Sequence, residues 1–202
     1  MPKLILLRHF ESQWNLENKF TGWTDVPLSQ RGRKSATKIA QKITESKIDI
    51  IYTSPLIRNK NTAILLLEEI GKKDLPIVID KALDERNYGK LQGLNKDKVK
   101  KEYGEEQVHL WRRGWDQTPP GGESLKNVFD RAVPFCKEYI EKDLKEDKNV
   151  LIVASHNSLR ALVKYIENIS DEDIINLEIP TASIREYNFK NGQFIKNREF
   201  KG

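Results

Sequence analysis

The sequence has very few of the residues that form disulfides or bind transition metals. Among 202 residues there are one cysteine, Cys136, and three histidines. A single cysteine excludes an intrachain disulfide and fits a protein of the reducing cytoplasm. No apolar run approaches the roughly 20 residues that span a bilayer, and the first apolar run lacks a small-residue cleavage site. We therefore expect neither a membrane span nor a signal peptide.

The excess of positive charge is small and dispersed. Thirty-five Lys and Arg residues against 30 Asp and Glu give a net charge of +5 and a sequence pI of about 9.1. Such an excess raises the local concentration of anionic ligands. The nearest approach to a basic cluster, at 96–101, has the pattern of a solvated helix face. We expect phosphorylated small molecules as partners, with no nucleic acid and no membrane.

Apolar runs and amphipathic stretches alternate along the chain, which is typical of an α/β fold. Gly22 and Pro27 interrupt regular structure between the first strand and the first helix, and Asn191-Gly192 is a hairpin signal near the end. We predict one three-layer domain over 1–202, with a mostly parallel sheet flanked by helices. The predicted strands are 4–7, 48–52, 76–80, 150–154, 184–189 and 193–200; the predicted helices are 29–46, 55–70, 95–103, 106–113, 124–144, 159–169 and 170–177.

Two of the three histidines directly follow buried strands. His9 comes after the first apolar run and His156 after 150–154, and the carboxyl ends of parallel strands converge at one edge of a sheet. A neutral imidazole can act as a nucleophile, and Arg8 and Arg58 can hold a phosphate beside it, each pair contributing about 4 kcal/mol at an effective dielectric near 20. The pattern favours a phosphoryl site without a metal. The alternative is that His9 merely ends a strand and bonds locally.

Several blocks of sequence resemble the cofactor-dependent phosphoglycerate mutases of the histidine phosphatase superfamily. The resemblance extends from Leu4 to about Tyr187, and its blocks include Arg8-His9-x-Glu11-Ser12-x-Trp14-Asn15, Phe20-Thr21-Gly22-Trp23, Leu83-x-Glu85-Arg86-x-Tyr88-Gly89, Trp111-Arg112-Arg113 and Asn157-Ser158-Leu159-Arg160. The Arg-His opening fits any histidine phosphatase. The Glu-Arg-x-Tyr and Trp-Arg-Arg blocks are more specific to the mutases.

The resemblance implies a glycolytic and gluconeogenic isomerase that interconverts 3-phosphoglycerate and 2-phosphoglycerate, with 2,3-bisphosphoglycerate as phosphoryl primer and no metal. His9 would carry the phosphoryl group, and Glu85 would be the general acid and base. Arg8, Arg58 and His156 would hold the phosphoryl group during transfer. The remaining substrate contacts implied by the resemblance are Ser12, Asn15, Thr21, Gly22, Arg86, Asn87, Tyr88, Lys96, Arg112, Arg113 and Asn157.

The chain departs from the family pattern in three places. Phe10 replaces the usual glycine after the nucleophile, and it would be strained if that position needed a positive φ. The family pattern His-Gly-Asn-Ser appears as Ser155-His156-Asn157-Ser158, so either Ser155 takes the histidine position or the glycine is deleted; we take His156 as the second imidazole. The segment after Pro120 is short, which leaves the subunit count open, a homodimer included.

Two other functions compete with the mutase. A phosphatase of broad phosphomonoester range would use the same histidines but would not need Glu85-Arg86 and Arg112-Arg113 together. A phospholigand-binding regulator with weak catalysis would be consistent with Phe10 and the displaced histidine.

Overall fold

The computed structural model describes residues 1–44 and 46–201, which form one α/β domain. The strands are β1 (Lys3–Arg8), β2 (Ile50–Thr53), β3 (Ile77–Ile79), β4 (Val150–Ala154), β5 (Ile184–Lys190) and β6 (Gln193–Phe200). The helices are α1 (Gln13–Leu16), α2 (Gln30–Ile43), α3 (Ile57–Glu69), α4 (Lys96–Tyr103), α5 (Glu105–Arg113), α6 (Leu125–Phe135), α7 (Glu141–Lys145) and α8 (His156–Glu167). Short 3-10 turns lie at Lys81–Leu83, Gly89–Leu91 and Asp173–Asn176.

The sheet has the strand order β3-β2-β4-β1-β5-β6. Its first four strands run parallel, β5 runs antiparallel to β1, and β6 runs antiparallel to β5. In the pairing of β1 with β4, Arg8 lies opposite Ala154. The backbone N–H of His9 donates to the carbonyl of Ala154 over 3.0 Å. The two chain segments that carry His9 and His156 therefore leave the sheet side by side at the same edge, as the sequence predicted.

Alternation along β1 divides the hydrophobic core into two layers. Leu4 and Leu6 pack in one cluster and Ile5 and Leu7 in the other, all at most 2% exposed. Helices α6 and α8 cover the first face, and α2 and α3 cover the second. Burial on both faces explains why β1 is an uninterrupted apolar run.

Two α-helices begin two or three residues away from their predicted starts, whereas α2, α4, α5 and α6 begin within one residue of theirs. Helix α3 begins at Ile57 instead of Pro55, because the Ser54 hydroxyl accepts from the backbone N–H of Leu56 at 3.3 Å and from the Asn59 amide at 2.7 Å. This local bonding holds 54–56 in a turn. Helix α8 begins at His156, three residues before its predicted start at Leu159. The predicted helix 170–177 is reduced to the 3-10 turn Asp173–Asn176.

The long helix predicted up to residue 144 consists of three segments. Helix α6 contains Pro134 and passes into a π-helical turn at Cys136–Ile140, after which α7 continues to Lys145. Proline lacks the N–H that an α-helix needs, and helices kink or break at prolines and at π-helical turns. The hairpin prediction is confirmed, since Asn191 and Gly192 both have positive φ, as a type I′ turn requires.

Candidate active site

A cavity opens at the edge of the sheet where β1, β2 and β4 end. Six cationic side chains and two carboxylates line it, together with two imidazoles. The lining residues are Arg8, His9, Asn15, Lys19, Phe20, Thr21, Gly22, Arg58, Glu85, Tyr88, Lys96, Arg112, Arg113, His156 and Glu178. Twelve of the sixteen predicted site residues are among them.

His9 is held in the tautomer that a nucleophile needs. Its ring is 2% exposed, and Nδ1 lies 2.6 Å from the carbonyl oxygen of Phe10. A carbonyl only accepts, so Nδ1 carries the hydrogen and Nε2 keeps a free lone pair. Burial, and then the charges of Arg58 and Arg8, lower the pKa of His9 well below its usual value. At neutral pH the imidazole is therefore uncharged.

Phe10 fits the loop without strain. Among the described residues five non-glycines have positive φ, and Phe10 is not one of them. Its side chain is fully buried in the core layer shared with Leu7, and its N–H donates to the Thr62 hydroxyl over 3.0 Å. A negative φ means that a glycine is not required at this position, so the strain envisaged for Phe10 does not arise.

Arg58 fixes the loop that forms one wall of the cavity. Its guanidinium donates to the carbonyl oxygens of Gly22, at 2.7 Å, and Thr24, at 3.1 Å. Gly22 has φ +57°, and a Cβ at this position would collide with the side chain of Gln92. Because Gln92 also accepts from the Trp23 N–H at 2.9 Å, it has little room to move. Glycine at position 22 is thus required by both conformation and space.

Backbone donors fix the carboxylate of Glu85. Oε1 accepts from the N–H of Arg86 at 2.7 Å and from the N–H of Asn157 at 3.1 Å, in the first turn of α8. Arg131 supports the Glu85 backbone from behind by donating to its carbonyl at 3.0 Å. The side chain is 6% exposed and lines the cavity, so it is placed to exchange a proton with a bound molecule.

The structure places His156, not Ser155, in the cavity. Ser155 is fully buried, and its hydroxyl is bonded to the Asn59 side chain. His156 Nε2 lies 3.2 Å from Arg113 Nη1 and 3.3 Å from Glu178 Oε1. Nε2 can accept from Arg113 or donate to Glu178, but it cannot do both at once. Burial lowers the pKa of His156 well below its usual value, although the hydrogen bond with Glu178 opposes that shift.

Buried arginines hold the end of α5 against the cavity. Arg86 donates to the carbonyl of Arg112 at 2.8 Å, and Arg160 donates to that of Arg113 at 2.7 Å. Both guanidiniums are 0% exposed and bind carbonyls that α5 itself leaves unpaired. The side chains of Arg112 and Arg113 thereby reach the cavity from a fixed helix end. Burial, followed by the charge of Arg112, lowers the pKa of Lys96 on the neighbouring helix to about 8.

Four predicted substrate contacts do not line the cavity. Ser12 caps α1, with its side chain and backbone bonded to Asn15. Asn87 bonds to Glu123 and Gly89 through its N–H and Oδ1, and Arg86 packs behind the wall. Asn157 donates from its side chain to the hydroxyl of Tyr88 at 3.2 Å. These residues support those that line the cavity.

Three lining residues escaped the sequence interpretation. Lys19 and Phe20 directly precede Thr21-Gly22, so their position along the chain was a usable signal. Glu178 gave no signal, because an acidic residue between a helical turn and a strand is typical of an exposed loop. Its carboxylate lies among Arg8, Arg113 and His156.

Within residues 1–44 and 46–201, no group of three or more His, Cys, Asp or Glu side chains is arranged to hold a metal ion. The same residues contain no helix with the length and apolarity of a membrane span.

The sequence and the fold are those of a known class. Residues 4–199 match the histidine phosphatase superfamily (branch 1), and the chain belongs to that superfamily. A 2,3-bisphosphoglycerate-dependent phosphoglycerate mutase of Cytophaga hutchinsonii is 46% identical over 189 residues, which cover 94% of this chain and 88% of that protein. A protein of the same name from Staphylococcus aureus is 44% identical over 210 residues, covering 91% and 92%. The resemblance in the sequence is thus confirmed.

Solved structures share the fold. A mycobacterial glucosyl-3-phosphoglycerate phosphatase in complex with VO3 superposes with a TM-score of 0.86 and 25% identity, covering 98% of each chain. A protein described as mycobacterial hydrolase 1 has a TM-score of 0.87 at 24% identity, covering 100% of this chain and 99% of the other. The second likeness concerns the fold alone.

Proposed function

We propose that this protein interconverts 3-phosphoglycerate and 2-phosphoglycerate, with 2,3-bisphosphoglycerate supplying the phosphoryl group that primes His9. The observation that carries the proposal is a buried neutral imidazole in a cavity lined by Arg8, Arg58, Lys96, Arg112 and Arg113. Phosphoglycerates carry both a phosphate and a carboxylate, so they need cations at two places. The proposal takes these small molecules as ligands and the cytoplasm as compartment, and it holds for a monomer or a homodimer.

His9 is the proposed nucleophile. Its Nε2 lone pair forms the bond to phosphorus while the bond between phosphorus and the ester oxygen breaks, and Nδ1–H stays bonded to the Phe10 carbonyl. Positive charge from Arg8 and Arg58 offsets the charge that spreads over the phosphoryl oxygens during transfer. Because the imidazole starts neutral, no deprotonation has to precede the attack.

Glu85 is the proposed acid and base. In one direction it gives a proton to the oxygen that leaves phosphorus, and in the other it takes the proton from the hydroxyl that attacks phosphohistidine. Its two backbone hydrogen bonds keep it in place throughout. His156 and Arg113 are proposed to hold the phosphoryl oxygens, and Asn15, Thr21 and Gly22 to contact the remainder of the substrate.

A phosphatase is the second candidate, and the likeness to a phosphatase of a glycerate ester favours it. It would share the step on His9, but water would take the place of the second hydroxyl. Exclusion of water from phosphohistidine therefore separates the two functions.

The test is an enolase-coupled assay of the purified protein with 3-phosphoglycerate, with and without 2,3-bisphosphoglycerate and without added metal. We expect turnover that requires the bisphosphate, and an acid-labile phosphoprotein that is lost in His9→Ala and kept in His109→Ala, a change at an exposed histidine. Release of inorganic phosphate alone would indicate the phosphatase. Absence of both turnover and phosphoprotein would leave a binding protein.

A further inference from the structure

The proposed reaction does not use Glu178, whose anionic side chain lies among cationic ones. It lies on the segment between the Asp173–Asn176 turn and β5, and its side chain is 49% exposed. The next residue, Ile179, accepts a hydrogen bond at its carbonyl from Arg8 Nη1 over 2.5 Å. That bond anchors the segment to the end of β1, so the carboxylate is positioned over the cavity by the fold.

The carboxylate contacts three groups that a phosphate would also contact. Oε1 lies 3.3 Å from His156 Nε2 and 4.0 Å from Arg8 Nη1, while Oε2 forms an ion pair with Arg113 Nη2. The hydrogen bond with His156 and the charges of Arg113 and Arg8 outweigh burial and lower the pKa of Glu178 to about 2, so the group is ionised throughout the neutral range. Two guanidiniums and an imidazole around one carboxylate match the donors that a phosphoryl or carboxylate group requires.

We propose that Glu178 sets the ligand affinity of the cavity: its carboxylate pairs with Arg8, Arg113 and His156, and it must give way before an anionic ligand can pair with them. The inference rests on the proposed function in one respect, that the ligand is an anion bound in this cavity. Its exposure leaves Glu178 free to swing into solvent. Retaining the carboxylate lowers affinity, which suits an enzyme that must release a highly charged product.

The test compares Glu178→Gln with the wild type by isothermal titration with inorganic phosphate and with 3-phosphoglycerate, at constant pH and ionic strength. Glu172→Gln is the matched control, because it removes the same charge from an exposed position nearby on the chain. We expect Glu178→Gln to bind phosphate about five to ten times more tightly than Glu172→Gln does. The gain is limited because solvent screens the half-exposed Glu178 carboxylate, which therefore competes only weakly with phosphate for the cations. Glu178→Ala, which also removes the hydrogen-bonding group, is expected to tighten binding as well.

Equal affinities in the two glutamine variants would overturn the proposal, and so would weaker binding in Glu178→Gln and Glu178→Ala, which would make Glu178 a support for Arg113 and His156. Neither result would touch the mutase assignment, which the bisphosphate-dependent assay decides separately. Failure of every variant to bind either anion would overturn this inference together with the anion site.

Discussion

The backbone N–H of Asn157 donates to Glu85 Oε1 over 3.1 Å and so joins the first turn of α8 to a carboxylate of the cavity. The helix that carries His156 thereby also orients the proposed acid and base. Asn157 extends the link through its side chain, which donates to the hydroxyl of Tyr88. Displacement of α8 would disturb the imidazole and the carboxylate together.

Glu85→Gln separates proton transfer from positioning. The amide oxygen of glutamine can accept the same two backbone hydrogen bonds, but it cannot exchange a proton at neutral pH. We expect kcat of the mutase reaction to fall by about 10²–10⁴-fold, while phosphate affinity and thermal stability stay close to wild type. Steady-state kinetics and titration check this. A kcat within threefold of wild type would remove Glu85 from the proton transfer.

Phe10→Gly restores the residue that is usual in the family but is expected to destabilise this chain. Phe10 is fully buried and has no need of a positive φ, so glycine leaves a cavity and gains nothing. Truncation of a buried phenylalanine costs about 3–5 kcal/mol. Urea unfolding would measure the loss, with Leu16→Ala, at a side chain 52% exposed, as a control that stays within about 0.5 kcal/mol. An unchanged midpoint in Phe10→Gly would contradict this packing.

Alanine variants distinguish the roles of Ser155 and His156. We expect His156→Ala to slow phosphoenzyme formation by about 100-fold or more, because a donor to the phosphoryl group is lost. Ser155→Ala should keep the rate and lose about 1–2 kcal/mol of stability, because it deprives Asn59 of a hydrogen-bond partner. Rapid-quench labelling and unfolding curves measure the two effects. A larger rate loss in Ser155→Ala would show that the serine holds the position of the family histidine.

The buried imidazoles make stability sensitive to mild acid. The pKa of His9 is lowered by burial, then by Arg58 and Arg8, and that of His156 is lowered mainly by burial. Below about pH 6.5 these two histidines bind protons in the unfolded chain but not in the folded chain. The free energy of unfolding therefore falls as the pH falls below that value, by up to about 1.4 kcal/mol per pH unit for each histidine. Between pH 7.5 and 5, the free energy of unfolding should change less with pH in the double variant His9→Gln/His156→Gln than in His109→Gln. Equal slopes would contradict the prediction.

Lys96 should make ligand affinity depend on pH above neutrality. Because its pKa is about 8, it is mostly charged at pH 7 and mostly neutral at pH 9, whereas a phosphate ester is already doubly charged above about pH 7. Affinity for 3-phosphoglycerate is expected to fall severalfold over this range in the wild type. Lys96→Arg, which keeps its charge, should show a smaller fall. Identical pH profiles from calorimetry would exclude Lys96 as the titrating group.

The sequence predicted the elements whose signals are local and strong. The apolar runs of β1 and β4 occur as predicted, and α2 lies within the predicted helix 29–46. The start of α3 was missed because the Ser54 side chain bonds locally instead of capping.

Most of the residues that line the cavity could be predicted from the two histidines at strand ends and from the sequence blocks that resemble the family. Glu178 could not be found in this way, because its importance comes from the cations that the fold gathers around it. Arg160 shows the same limit: its support of α5 depends on two helices that meet only in the folded chain.

Strand β1, one of the two middle strands of this sheet, is synthesised before every other strand, and both strands that pair with it come late in the chain. Lys3 N–H donates to the side chain of Asn149, 146 positions away, and β1 lies between β4 and β5. At about 5–20 residues per second, roughly 7–35 s of translation separates β1 from its two neighbouring strands. During that interval β1 has no strand to pair with, and α2 and α3 can cover only one of its two apolar faces, so phosphorylation of His9 would report that synthesis has passed β4.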